Sequence, residues 1–115
     1  MGIVLNEKNM KWEIPEELGR DFVMKTLITG AMSDNKLTFL VCELNPGGEL
    51  FEHLHETQFE IHYIVSGSGV LTVENKKFNV QAGSIAIGPP KEKHSLKNTG
   101  DETMRFLAIF SPALR

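Results

Sequence analysis

The chain of 115 residues lacks several features that would direct its fold or its partners. It has a single cysteine, Cys42, so no disulfide can form within the chain. Its twelve Lys and Arg against fifteen Asp and Glu give a net charge of −3, without the excess of basic residues that favours nucleic acid. No apolar run approaches the length that spans a bilayer. Residues 1–7 lack the basic start and cleavage site of a signal peptide, so we expect a cytoplasmic protein with no membrane partner.

The composition indicates one folded domain. Hydrophobic residues make up 41% of the chain, which is ordinary for a globular protein. A domain of this length buries roughly two thirds of the surface of its unfolded chain, so it folds without disulfides. We therefore expect residues 1–115 to form a single domain, with residues 1–20 as an arm whose apolar members, Trp12 and Ile14, need a cover.

Short apolar runs separated by glycine and proline predict an all-β sandwich or barrel. The tetrad Asn45-Pro46-Gly47-Gly48 is a strong turn signal, and Asn75-Lys76 predicts a hairpin. The only helix candidate is one turn at residues 15–19. Strands are predicted over residues 22–29, 37–44, 59–65, 70–74, 77–80, 84–87, 94–97 and 104–110.

The histidines form the most informative pattern. His53 and His55 are separated by one residue, and on an extended segment such a pair points to the same side. Glu60 and His62 form a second pair of this kind, and His94 comes from a distant segment. Imidazole nitrogens with a carboxylate suit a transition metal better than Ca²⁺ or Mg²⁺.

The spacing of these residues resembles the two motifs of the cupin superfamily. The first motif is Gly, five residues, His-x-His, three or four residues, Glu, six residues, Gly; Gly47, His53, His55, Glu60 and Gly67 match it throughout. The second motif is Gly, five residues, Pro-x-Gly, two residues, His, three residues, Asn. Its matching positions are Gly83, Pro89, His94 and Asn98, and Lys91 stands where the family has glycine.

The resemblance implies a fold and a site. The fold would be a double-stranded β-helix, or jelly roll, with one divalent transition-metal ion (Fe, Mn, Ni, Co, Cu or Zn) inside the barrel. By the same resemblance His53, His55, Glu60 and His94 become its ligands. Similar proteins are dioxygenases, decarboxylases, isomerases and lyases, so we expect a metal-dependent enzyme acting on a small polar or anionic molecule. The alternatives are a small-molecule-binding module without catalysis, and a barrel with a structural metal.

Several single residues leave alternatives open. His62 could serve as a ligand in place of Glu60, orient Glu60, or act catalytically as a proton carrier. Lys91 and Lys93 could attract an anion, although lysines are more often solvated surface charges with no binding role. Cys42 is expected to be a packing residue, or to line the barrel near the metal, and Phe51 is a candidate pocket wall. Residues 104–110 are apolar on both faces, which predicts a homodimer.

Overall fold

The computed structural model describes residues 2–115 and consists almost wholly of β-strands, as the sequence predicts. A three-residue 3-10 helix at Glu7–Asn9 precedes eight strands. The strands are β1 (Gly19–Ile28), β2 (Thr38–His53), β3 (Phe59–Ser66), β4 (Ser68–Val73), β5 (Lys76–Gln81), β6 (Ile85–Gly88), β7 (His94–Asn98) and β8 (Met104–Ser111). Across residues 2–115, no helix has both the length and the apolar character to cross a membrane.

The strands form one curled antiparallel sheet. Its order is β5-β4-β7-β2-β8-β3-β6, and β1 pairs with β2 beside this path. Alternate residues of each strand point into the curl, so β8 buries Met104, Phe106, Ala108 and Phe110 while the residues between them stay partly exposed. This is the jelly roll that the family resemblance implies, with the core on the concave face.

The turn predicted at residues 45–48 is wrong, because the chain does not reverse there. Strand β2 continues through the tetrad for 16 residues, pairing with β8 before it and with β7 after it. The partner strand β1 shifts register at the same place, between Arg20 and Phe22. Gly47 has a φ of +79°, and a side chain on Gly48 would lie 2.9 Å from the carbonyl oxygen of Asp21. The two glycines therefore form an irregularity inside a strand rather than a turn between strands.

Two smaller expectations also change in the structure. The hairpin turn lies at Glu74-Asn75, one residue before the predicted dipeptide, because Val73 pairs with Lys76. Glu74 takes the positive φ, +54°, that such a two-residue turn requires. The predicted helical turn over residues 15–19 is present only as an isolated turn closed by a hydrogen bond from Leu18 N to the Pro15 carbonyl.

The N-terminal arm follows the outside of β1. Glu13 bridges Met24, and the Lys25 ammonium lies 4.5 Å from the centre of the Trp12 ring. Lys25 also donates to the Glu7 carbonyl at 2.9 Å. Trp12 and Ile14 nevertheless remain 40% and 69% exposed, so within one chain the arm's apolar residues stay largely uncovered.

Candidate metal centre

Strand pairing brings the predicted ligands together. His53 ends β2 and pairs directly with His94, the first residue of β7. Glu60 lies near the start of β3, and His55 lies in the segment between β2 and β3. One ligand atom from each of these four residues lies within 4.8 Å of the other three. The geometry thus gathers the residues that the two sequence motifs identify.

The Glu60 carboxylate is at the centre of the cluster and is only 6% exposed. Its Oε1 lies 3.2 Å from His55 Nε2 and 2.9 Å from His94 Nε2, and its Oε2 lies 2.7 Å from His62 Nε2. These approaches are short, but Glu60 Oε1 and the three Nε2 atoms are buried without an aligned hydrogen-bond partner. Buried polar atoms are normally paired, because leaving them unpaired is costly. A metal ion would satisfy such a set, so these residues fit one.

Backbone carbonyls orient two of the imidazoles. His53 Nδ1 lies 2.6 Å from the Phe51 carbonyl oxygen, and His94 Nδ1 lies 3.2 Å from that of Glu92. With the proton on Nδ1 donated to the carbonyl, Nε2 keeps its lone pair for a metal. The sequence contains no signal for these contacts, since any residue supplies a carbonyl.

The pKa shifts of His53 and Glu60 suit metal coordination, whereas that of His94 means that a metal would compete with a proton there. Burial lowers the pKa of His53 to about 4, so this imidazole is neutral at neutral pH. Burial alone would raise the pKa of Glu60, but the charge of His62 and the contacts with His55 and His94 outweigh it and hold that pKa well below its usual range. Burial likewise opposes protonation of His94, yet the Glu60 carboxylate raises its pKa. The Glu60 carboxylate is therefore ionised at neutral pH, as a metal ligand would have to be.

His62 lies behind Glu60 and outside the four-residue cluster. Its side chain is 8% exposed, and its ring lies edge-on to Phe106 with 5.7 Å between centroids. Because its Nε2 faces Glu60 Oε2, this position favours orientation of Glu60 or proton transfer over replacement of Glu60 as ligand. A catalytic role for His62 stays a prediction.

Two cavities adjoin the cluster. The first, of about 30 Å³, is bordered by polar groups of Gln58, His62 and Glu92; the second, of about 60 Å³, has mostly apolar walls that include Phe106 and Phe110. Motif reasoning did not identify Gln58, Glu92 or the two phenylalanines. The alternation of inward-facing residues on β8 is the sequence signal for the two phenylalanines, whereas Gln58 and Glu92 lie outside the strands and have no such signal.

Three other sequence expectations can be located in the structure. Phe51 lines an outer groove with Ile14 and borders neither of the two cavities beside the cluster. Lys91 and Lys93 are exposed and also lie outside both cavities, as solvated charges do.

Cys42 is 2% exposed among core residues and also borders the apolar cavity. Burial raises the pKa of its thiol well above the usual value, and the Glu60 charge adds to this effect.

Lys91, which replaces a motif glycine, adopts the glycine-like conformation. Its φ is +70°, and its N–H donates to the His55 carbonyl at 2.7 Å. The turn before His94 therefore keeps its form. A side chain in this left-handed region costs roughly 1–2 kcal/mol.

Lys91→Gly is accordingly expected to stabilise the protein by about 0.5–1 kcal/mol, once the greater freedom of glycine in the unfolded chain is deducted. Urea unfolding of the metal-free protein measures the change. Lys93→Gly, at a position outside the left-handed region, is the control and should be neutral or destabilising. Equal effects of the two changes would contradict the assigned strain.

Comparison with known proteins identifies the family. The family described as "Cupin domain" matches residues 40–110, and the chain therefore belongs to the cupins. An oxalate-binding protein of Thermotoga maritima is 37% identical over 79 residues, which are 69% of this chain and 65% of that protein. Oxalate decarboxylase OxdC of Bacillus subtilis is 35% identical over 72 residues, or 58% of this chain and 19% of the decarboxylase.

A solved structure extends this likeness over nearly the whole chain. The crystal structure of a predicted oxalate decarboxylase from Thermotoga maritima superposes with a TM-score of 0.89 at 31% identity. The superposition covers 96% of this chain and 99% of the other. The chain thus spans somewhat less than two thirds of the curated oxalate-binding relative and a fifth of OxdC, but nearly all of the solved one.

Proposed function

We propose that this cupin is a metal-dependent enzyme that binds a small dicarboxylate such as oxalate at an ion held by His53, His55, Glu60 and His94. The observation that carries the proposal is the convergence of four ligand atoms, one from each residue, within 4.8 Å of one another. Those of His55, Glu60 and His94 are buried without hydrogen-bond partners. The names of the two curated relatives supply the ligand class.

The charge of such a centre favours an anion. Three neutral imidazoles and one carboxylate leave a divalent ion with about one unit of positive charge. Four protein ligands leave two further positions on a six-coordinate ion. The adjoining cavities of about 30 and 60 Å³ admit only small molecules, since one water requires roughly 10–15 Å³ by the same measure.

The reaction that fits this ligand is decarboxylation. Conversion of hydrogen oxalate to formate and carbon dioxide breaks one C–C bond and places one proton on carbon. A bound metal supplies Lewis acidity, and electron exchange if it is redox-active. His62 is the buried group suited to carry the proton, because Glu60 holds its Nε2 at the wall of the polar cavity. Gln58 offers an amide to the anion at the same wall.

The experiment is metal analysis of protein purified without a nickel column, followed by calorimetric titration with oxalate and detection of formate by NMR. We expect one equivalent of metal, oxalate binding that disappears in His53→Ala, and formate production. Absence of metal after reconstitution, or of oxalate binding to the loaded protein, would overturn the proposal.

A second candidate function is binding without catalysis. It is favoured by the relative with the higher identity, which is named for binding alone. Oxalate that binds the loaded protein and returns unchanged after long incubation would select this function. A structural metal would instead give a sharp fall in melting temperature on chelation and no oxalate binding.

We also propose that the protein forms a homodimer through the outer face of β8, β3 and β6. Tyr63 pairs with Leu107 and Ile85, so their outward side chains form one row, and the next row is Ile61, Ile109 and Ile87. Ile85 and Ile87 are 69% and 67% exposed. A regular sheet face of this composition is self-complementary under twofold symmetry, which favours a second copy as its cover.

Light scattering should therefore give the mass of a dimer, and Ile87→Lys should give a monomer. Met32→Lys replaces another exposed apolar residue, in the loop between β1 and β2 and outside this face, and should leave the dimer intact. A monomeric wild-type protein, or equal effects of the two substitutions, would contradict the dimer proposal.

A further inference from the structure

The two cavities beside the metal cluster differ in polarity, although both border His55 and Glu60. The smaller one also borders His94 and lies against β3, β4, β6 and β7, with Gln58, His62 and Glu92 in its wall. The larger one borders His53 and lies against β1, β2 and β8. The smaller cavity also has apolar residues of β4 and β6 in its wall, but it is more polar than the larger one. We refer to the two as the polar compartment and the apolar compartment.

The apolar compartment has few partners to offer a water molecule. Its walls include Phe22, Met24, Leu40, Ala108, Phe110 and Leu114. Its polar residues are the three candidate ligands, which a metal would engage, Cys42, whose thiol is a weak donor, and Arg115. A buried water needs two to four hydrogen bonds, whereas apolar cavities stay dry and take apolar guests such as xenon.

Hydrogen bonds to a buried threonine fix the C-terminal residues that border the apolar compartment. Leu114 and Arg115 border it, and their backbone is bonded to the fully buried Thr38. Leu114 N donates to Thr38 Oγ1 at 2.9 Å, and Thr38 Oγ1 donates to the Arg115 carbonyl at 3.0 Å. The Arg115 guanidinium is held aside by Glu13, at 2.8 Å. Glu13 in the N-terminal arm therefore fixes the Arg115 guanidinium. The partly exposed Leu114 side chain lies at the opening of the apolar compartment.

We infer that the apolar compartment is a second ligand subsite, which takes a small uncharged apolar group beside the metal while the polar compartment takes the charged part of the ligand. The group is either a free molecule of gas size or the alkyl end of a carboxylate. At about 60 Å³ the subsite has room for roughly four water-sized atoms, so it excludes larger groups. This inference rests on the proposed function only in placing a metal between the compartments.

Xenon is the direct probe of the subsite. Crystals of wild-type protein pressurised with xenon, metal-free and after soaking with Zn²⁺, are expected to show one xenon atom among Met24, Leu40 and Phe110. Ala108→Val fills this compartment and should exclude xenon, whereas Ala86→Val, which narrows the polar compartment, should retain it. Ordered water in place of xenon, or xenon unaffected by Ala108→Val, would overturn the inference.

A second variant keeps the xenon experiment informative if Ala108→Val folds poorly. Leu114→Ala changes a partly exposed residue and opens the mouth to solvent, so it should weaken xenon binding. Retention of full xenon occupancy in Leu114→Ala would count against the subsite. Loss of Zn²⁺ binding would overturn the proposed function alone, because the metal-free crystals still report on the cavity.

Titration of the Zn²⁺-loaded protein with formate, acetate and propionate distinguishes the two sources of the apolar group. Affinity that rises along the series and falls in Ala108→Val identifies the alkyl end of a carboxylate. Equal affinities together with a bound xenon identify a free apolar molecule. Affinity that rises along the series equally in both proteins would place the alkyl group elsewhere and contradict the alkyl assignment.

Discussion

Glu60→Gln is expected to lower the affinity for a divalent transition metal by at least about 100-fold, more than the 10–100-fold typical of losing an outer-sphere partner of a ligand. The change removes the only negative charge among the four candidate ligands while preserving the shape of the side chain. It also leaves an amide facing three imidazoles at the centre of a buried cluster. Competition with a fluorescent zinc chelator measures the affinity.

Glu56→Gln is the matched control for this experiment. Glu56 precedes Glu60 by four residues, but it is exposed and lies outside the cluster. The same neutralisation there should leave metal affinity within about twofold, since an exposed charge is screened by solvent. If both variants lose affinity equally, the effect is that of overall charge, and Glu60 is not a ligand.

Asn98→Ala is expected to lower the free energy of unfolding by about 2–4 kcal/mol. The Asn98 side chain is 1% exposed and makes three hydrogen bonds of 2.9 Å. Its Nδ2 donates to the carbonyls of Leu44 and Glu102, and its Oδ1 accepts from Gly100 N. Alanine leaves the buried Leu44 carbonyl without this donor and removes the partner of the part-buried Glu102 carbonyl and Gly100 N–H. Urea unfolding of metal-free protein measures the loss.

Asn79→Ala is the control for the stability measurement. Asn79 is exposed on β5, so its replacement should change stability by no more than about 0.5 kcal/mol. The metal content of Asn98→Ala, measured at a temperature where it remains folded, should be unchanged. A stable Asn98→Ala protein that has lost its metal would instead make Asn98 a determinant of the site.

The four candidate metal ligands could be predicted because side-chain alternation and motif spacing can be read from the sequence alone. Residues two apart on an extended segment share a side, which places His53 with His55 and Glu60 with His62. Motif spacing then adds His94. The same spacing includes Asn98, but a sequence position does not reveal that the residue joins the end of β7 to β2 and to the turn before β8.

Other features depend on the tertiary structure and could not be predicted from local signals. The tetrad at residues 45–48 has the composition of a turn, yet pairing with β1, β7 and β8 keeps β2 extended through it. Lys91 stands where the cupin motif has glycine, yet it adopts the left-handed conformation, in which its N–H donates to the His55 carbonyl. The two apolar rows that form the proposed dimer face can be recognised only once the register of β3 is known.

The strand order has a consequence for how metal affinity responds to mutation. Strands β7 and β3 are three places apart in the sheet, a separation of about 14 Å if the sheet were flat. Yet His94 Nε2 and Glu60 Oε1 lie 2.9 Å apart, because the sheet is rolled. The radius of the roll is therefore itself a determinant of coordination geometry. Substitutions in the core that tighten or relax the roll, such as at Met104, should alter metal affinity without touching any ligand.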